Sequence, residues 1–228
     1  MTMIKLENVS KKFPTGVFAL TEVSFEVTRG EFVFLVGPTG SGKTTIFRLI
    51  IREILPSSGT ITVDGANISK LSRKGVSNLR KKIGVVFQDL KLLIDRTVSE
   101  NISLPLEVSG VKAMDAKKKV DEIMAKVGIE EHRDKFPVQL SGGELQKTAI
   151  ARALVLSPNI LLADEPTGDL DETTASEIVK QLLEINQKGT TIIMATHSLD
   201  IIKALAKRMV VLDRGKLVRD DKGREGKK

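Results

Sequence analysis

The stretch Gly37-Pro38-Thr39-Gly40-Ser41-Gly42-Lys43-Thr44-Thr45 decides the fold of this 228-residue chain. It matches the pattern G-x-x-x-x-G-K-[ST] in full. The run Glu31–Val36 precedes it, apolar from Phe32 onward, as a strand buried on both faces requires. A helical stretch from Lys43 to about Glu53 follows it, ended by Pro56 and Gly59. Glycines let successive backbone N–H groups point at phosphate oxygens. The start of the helix adds the positive end of its dipole. Lys43 supplies a point charge for the β- and γ-phosphates of a nucleotide, and the Thr44 hydroxyl suits Mg²⁺. The pattern predicts a strand, a phosphate-cradling loop and a helix.

Working outward, Ile4–Val9 and Leu20–Val27 alternate apolar and polar residues like half-buried strands. Thr60–Val63 reads as a strand closed by the turn Asp64-Gly65, and Ile83–Phe87 as a short buried strand. From about Asp89 to Ser157 the patterns are helical. Val120, Ile123, Met124 and Val127 form one apolar face, with Gly128 placed to cap it, and Gly142 to about Val155 is a second helix ended by Pro158. Strand patterns return at Asn159–Ala163, Thr190–Thr196 and Met209–Leu212. Between them Thr173–Lys188 carries Ile178, Leu182 and Ile185 on one helical face. The polar tail from Arg214 reads as a frayed end. The expected architecture is α/β in a single domain, residues 1–228. Residues 1–88 and 158–228 form the nucleotide-binding core, and 89–157 a helical segment.

Composition narrows the chemistry. Cysteine is absent, which removes disulfides, thiolate metal sites and cysteine nucleophiles. Trp and Tyr are absent and Phe numbers 8, so base-stacking platforms would have few residues to use. The longest apolar runs, Phe32–Val36, Ile160–Ala163 and Ile192–Ala195, fall far below the ~20 residues of a membrane span. The N-terminus has no apolar signal core. A cytoplasmic chain is expected, with any membrane role borrowed from a partner. The net charge of +7 and pI near 9.5 fit a lysine-coated surface, an anionic membrane surface or nucleic acid alike.

Two further motifs sharpen the reading. Ile160-Leu-Leu-Ala-Asp164-Glu165 is an apolar strand ending in two carboxylates, at the edge where ligands bind in open α/β sheets. Asp164 is expected to hold Mg²⁺ through water, and Glu165 to orient or deprotonate the attacking water. Leu140-Ser141-Gly142-Gly143-Glu144 opens a helix with small residues, a second phosphate site. One nucleotide needs only one such site per chain.

On these residues the chain resembles the ATP-binding cassette family, whose signature is LSGGE or LSGGQ. The resemblance covers essentially the whole chain. It implies a P-loop nucleotide-binding domain with a mixed or parallel sheet core, an N-terminal antiparallel β subdomain and a helical insert. It implies ATP and Mg²⁺, and two copies joined head to tail, each ATP lying between the P-loop of one and the signature of the other. The ATP-binding set is then Gly37 to Thr45, Gln88, Ser141, Gly142, Gly143, Glu144, Asp171 and His197, with Phe13 stacked on adenine. The resemblance gives Gln88 the sensing of Mg²⁺ and γ-phosphate, the loop Gly168-Asp169-Leu170-Asp171 a dimer contact, and His197 the switch role. Thr44, Gln88 and Asp164 are the implied Mg²⁺ set; Glu165, His197, Lys43 and Gln88 the catalytic one. Phe13 stands where Tyr is usual, Asp169 where Asn is common, and Lys147-Thr148 replace the more usual Arg-Val.

Asp89–Leu106, DLKLLIDRTVSENISLPL, together with the opening IKLENVSKKFPTGVFAL and the segment FPVQLSGGE, resembles the family's cell-division branch. Its cousins serve lipoprotein release and macrolide export. The branch implies work on a polytopic membrane protein at the inner face of the cell membrane, and activation of cell-wall hydrolases. Leu90, Leu92, Leu93 and Ile94 then either line a partner groove or belong to the core of the insert. A nucleic-acid partner is not expected: signature-bearing ATPases of that class insert long coiled coils between P-loop and signature, and no sustained heptads lie between Thr44 and Ser141.

Overall fold

A computed structural model describes residues 1–221. Strands β1 (Thr2–Lys12), β2 (Phe18–Thr28), β4 (Ser58–Val63) and β5 (Ala66–Asn67) form an antiparallel sheet in the order β2-β1-β4-β5. The second sheet runs β10-β9-β3-β8-β7-β6, from β3 (Phe32–Val36), β6 (Ile83–Val86), β7 (Ile160–Asp164), β8 (Thr191–Thr196), β9 (Arg208–Asp213) and β10 (Lys216–Asp221). Its strands are parallel except β10, which pairs antiparallel with β9. The architecture is α/β, with a mixed sheet, an antiparallel sheet and helices.

Side chains alternate across a strand, so the central sheet feeds two cores. Val33, Leu35, Leu162, Ile193 and Ala195 face the antiparallel sheet and α1 (Lys43–Ile50). Phe32, Phe34, Leu161, Ala163, Ile192 and Met194 face the other way. That second core receives α3 (Val98–Val108), α4 (Ala113–Val127), α5 (Gly142–Leu154) and α6 (Glu172–Gln187). Burial on both faces explains why β3, β7 and β8 are continuous apolar runs. Gly128 does cap α4, in the left-handed conformation with φ 70°.

The structure departs from the sequence expectations at four places. Helix α1 ends at Ile50, because Arg52 turns left-handed and Ile51 to Ile54 close on the carbonyls of the last turn. The polar stretch Arg73–Lys81 is a helix, α2, capped by Ser72 and seated through Val76 and Leu79. Leu199–Leu205 is a further short helix, α7. The tail is not frayed over Lys216–Asp221: it forms β10, and Gly215 in the turn before it donates to the Ser41 carbonyl at 3.1 Å and accepts from the Thr21 N–H at 2.8 Å. The turn thereby pins the phosphate loop. Residues 222–228 of that tail lie outside the described residues.

The apolar cluster after Gln88 divides. Leu90 and Leu92 pack against the helical core, while Leu93 and Ile94 are exposed. The fully buried Asn101 of α3 holds this segment. Its side chain accepts from the Leu93 N–H at 2.8 Å and donates to the carbonyls of Leu93, Arg96 and Thr97 at 3.0–3.1 Å.

Candidate nucleotide site

Parallel pairing sets the site. Val36 of β3 is level with Thr196 of β8, and Asp164 of β7 with Ala195. The residues that follow these strand ends, Gly37, Glu165 and His197, therefore gather at one edge of the sheet.

The loop after β3 is close-fitted. A Cβ on Gly37 would lie 2.3 Å from the Leu212 carbonyl oxygen and 2.5 Å from Ser41 Oγ. Gly42 has φ 108°, and a Cβ there would meet Leu20 Cδ2 at 2.7 Å and the Ala19 oxygen at 2.8 Å. Pro38, Thr39 and Gly40 form the exposed rim. Lys43 is buried, its ammonium donating to the carbonyls of Gly37 at 2.6 Å and Pro38 at 3.3 Å. The Ser41 hydroxyl is buried without a hydrogen-bond partner. Thr45 is half-buried in the first turn of α1. An inward lysine and an orphan hydroxyl in a glycine-walled loop fit a phosphate chain.

Thr44 Oγ1 donates to Asp164 Oδ2 at 2.7 Å. Burial pushes the Asp164 carboxyl above its usual value; the Thr44 hydrogen bond opposes this, the Glu165 charge adds to it, and Lys43 opposes it more weakly. A buried carboxylate beside a hydroxyl, short of positive charge, fits a divalent cation such as Mg²⁺. Gln88 lies just past β6 and lines one cleft with Thr44, Phe87, Asp89, Asp164 and Asp169.

Glu165 sits between two cationic or titratable groups. Its Oε1 lies 3.7 Å from Lys43 Nζ and its Oε2 3.0 Å from His197 Nδ1. The backbone of Glu165 is left-handed, φ 48°, a conformation non-glycine residues adopt rarely. Its N–H donates to the Ala195 carbonyl, which fixes that turn to β8. His197 leans over the carboxylate with most of its ring exposed.

Phe13 opens the β1–β2 turn, closed by its N–H to the Val17 carbonyl at 2.9 Å. Its ring is half-buried, with the Lys11 ammonium 5.5 Å from the centroid.

The signature residues stand apart. Ser141 caps α5: its N–H donates to Glu144 Oε2 at 2.6 Å and its hydroxyl accepts from the Glu144 N–H at 3.4 Å. Hydrogen bonding from the Ser141 backbone N–H first, and from the Ser141 side chain second, holds the Glu144 carboxyl below its usual value. Gly142 and Gly143 lie against α6, where a Cβ on Gly143 would meet Thr174 Cγ2 at 2.7 Å. Asp171 caps α6 through Thr174, at 3.0 Å to its N–H and 2.6 Å to its hydroxyl. Among the described residues, none of Ser141–Glu144 lines the cleft of Thr44 and Asp164. Two groups here carry no sequence signal: the buried His132, whose Nε2 meets Glu144 Oε1 at 2.9 Å, and the half-buried Arg152 at the far end of α5.

The chain is similar to known proteins over most of its length. A family model described as ABC transporter matches residues 20–168. The cell division ATP-binding protein FtsE of Bacillus subtilis is 44% identical over 219 residues, 96% of each chain. The FtsE proteins of Streptococcus pneumoniae serotype 2 and of Escherichia coli K12 are 45% and 43% identical, over 99% and 94% of this chain and 99% and 97% of theirs. Among solved structures, a dimeric ATP-binding cassette in a post-hydrolysis state, bound to ADP and Pi, superposes with TM-score 0.89 at 34% identity, over 96% of this chain and 98% of that one. A glycine-walled phosphate loop, an acidic strand end and relatives aligned almost end to end have one common explanation: the chain belongs to the ABC transporter family, as an ATP-hydrolysing cassette.

Proposed function

We propose that the chain is the ATPase of a cell-division membrane complex. Two copies close head to tail around two ATPs and drive a polytopic membrane protein of FtsX type, which in turn activates cell-wall hydrolases. The observation that carries this reading is the placing of Glu165 between Lys43 and His197, while the signature of the same chain faces elsewhere. A site with its own base but no second phosphate clamp is completed by a second copy.

The roles follow from chemistry at named atoms. Lys43 leaves its carbonyl partners for the β- and γ-phosphate oxygens, while Ser41 and the backbone of Gly37 to Thr45 hold the chain of phosphates. Phe13 stacks on adenine. Mg²⁺, when bound, neutralises phosphate charge and would be held by Thr44, Gln88 and Asp164. Glu165 takes a proton from the attacking water as its oxygen bonds to the γ-phosphorus and the bond to the β-phosphate oxygen breaks. His197 holds the Glu165 carboxylate in position. Ser141 and Gly143 of the other copy hold the γ-phosphate from the opposite side, with Gly142, Glu144 and Asp171 shaping that contact.

Residues 89–157 act as a helical signature subdomain, and the partner docks beside it. A concave surface lined by Leu104, Pro105, Val108, Leu156, Arg80 and Lys81 supports this, being both apolar and cationic. Among the described residues no helix is long and apolar enough to cross a membrane. The cassette then works peripherally on the cytoplasmic face, held there by its partner. Light scattering of Glu165→Gln with and without Mg·ATP tests the closure. An ATP-dependent dimer is expected, and a dimer that forms equally without ATP would count against the reading.

A further inference from the structure

Helix α5 is tied down at both ends, and its far end grips the loop that carries Gln88. The guanidinium of Arg152 donates to the Lys91 carbonyl at 2.7 Å and to the Leu90 carbonyl at 2.5 Å, across 61 and 62 residues of chain. Leu90 and Lys91 are consecutive non-glycine residues in the left-handed conformation, φ 52° and 49°. Such strain persists only where surrounding contacts over-determine it. The turn is also closed locally, Leu90 N–H to the Phe87 carbonyl at 3.0 Å and Lys91 N–H to the Asp89 carbonyl at 2.5 Å. Among the described residues no carboxylate pairs with Arg152; its bonds go to those two backbone oxygens. Arg152 is half-buried, and partly desolvating a guanidinium is costly, so a helix position packed in this way would ordinarily take an aliphatic side chain. The planar fork of arginine, unlike the point charge of lysine, spans two adjacent carbonyls at once.

We propose that Arg152 is a positioning residue that couples the Gln88 loop to the signature helix of the same subunit. This rests on the roles given above to Gln88 and Ser141. The thirteen residues of α5 form a rod about 20 Å long, with Arg152 near one end and Ser141 capping the other. A shift of Gln88 on meeting the γ-phosphate moves Leu90 and Lys91, and the guanidinium passes that shift along α5 to the signature, which faces the other ATP. Arg152 also lines the concave surface with Leu104, Pro105 and Val108, so a segment seated there rests against the same joint.

The test uses Arg152→Lys and Arg152→Gln, each in the parent and in Glu165→Gln. Three quantities are read: Mg·ATP affinity of the monomer at low protein concentration, the ATP concentration giving half-maximal dimer, and the Hill coefficient of hydrolysis. The expected result is monomer affinity close to parental, a roughly 2- to 30-fold higher ATP requirement for dimer formation, and a Hill coefficient falling towards one. Parental dimerisation and cooperativity in both variants would overturn the proposal. So would loss of monomer affinity and melting temperature in proportion to lost dimerisation, because Arg152 would then only hold the fold. Failure of Glu165→Gln itself to dimerise on ATP, with Arg152 intact, would instead fall on the head-to-tail reading.

Discussion

Thr44 donates its hydroxyl hydrogen to Asp164 at 2.7 Å, joining the first turn of α1 to the last residue of β7 across 120 residues of chain. The bond exists because β3 and β7 both pair with β8 in parallel register, which brings their ends to one edge. It also shows which group here works against stability. The hydroxyl, and more weakly the Lys43 charge, offset part of what burial costs the Asp164 carboxylate.

That imbalance has a pH consequence. The folded-state pKa of Asp164 is raised above 3.8, chiefly by burial. As pH rises the unfolded chain therefore releases this proton first, and the folded state holds it longer. Stability contributed by the protonated group is present below that value, is lost as pH climbs through the raised folded pKa, and stays lost at neutral pH. Asp164→Asn keeps an oxygen for Thr44 and removes the buried charge. The nucleotide-free variant should melt higher than the parent at neutral pH, at about 2–4 °C per kcal/mol gained, with the difference shrinking toward pH ~4. Hydrolysis should be lost. An unchanged or lowered melting temperature at neutral pH would show that the carboxylate is not under strain.

Glu165→Gln preserves the size of the side chain and its left-handed backbone but removes the carboxylate between Lys43 and His197, the proposed base. Losing a general base typically lowers the rate by ~10²–10⁴. ATP binding should persist, since the phosphate contacts of Lys43 and the loop are untouched. Single-turnover hydrolysis with a parallel binding assay separates the two effects; turnover at the parental rate would remove Glu165 from its role.

Gly42→Ala probes the cradle rather than the chemistry. The added Cβ meets Leu20 and the Ala19 carbonyl below 3 Å, at a residue whose φ of 108° L side chains avoid. The expected cost is about 1–3 kcal/mol of stability, with loss of ATP binding as the loop shifts. Denaturant melts and nucleotide titration check it. Gly40→Ala is the comparison, because a Cβ there enters open space although its φ of 80° still adds strain; it should be the milder of the two.

The sequence discloses this molecule where burial is symmetric or chemistry is local. β3, β7 and β8 are buried on both faces, so their apolar runs read directly, and the phosphate loop is contiguous in the chain. Helix α2 gives little signal because only Val76 and Leu79 of its nine residues are buried. β10 is an edge strand with no fully buried residue, so its polar sequence resembles a loose tail. Arg152 and His132 are invisible for another reason: their partners lie on other elements, and nothing in the spacing of an arginine or a histidine announces a carbonyl 61 residues away or a carboxylate on the next helix.

The split in the cluster after Gln88 makes the partner surface testable. Leu92 packs on the helical core, whereas Ile94 and Val108 are 72% and 79% exposed. Val108 ends α3 on the rim of the concave surface shared with Leu104, Pro105 and Leu156. Val108→Glu places a carboxylate where an apolar anchor of the membrane protein would sit. It should weaken that complex by about 2 kcal/mol or more, roughly thirtyfold in affinity. Basal hydrolysis and the melting curve of the isolated cassette should stay near parental, because the side chain is solvated when no partner is present. Leu92→Glu is the contrast: burying that charge should lower the melting temperature, with hydrolysis falling alongside it. Leu93→Glu falls between, since Leu93 is 39% exposed and its backbone is held by Asn101. Pull-down of the detergent-solubilised membrane partner, run beside ATPase and melting measurements on the same preparations, distinguishes the three. Full retention of the partner by Val108→Glu would move the docking surface elsewhere on the cassette.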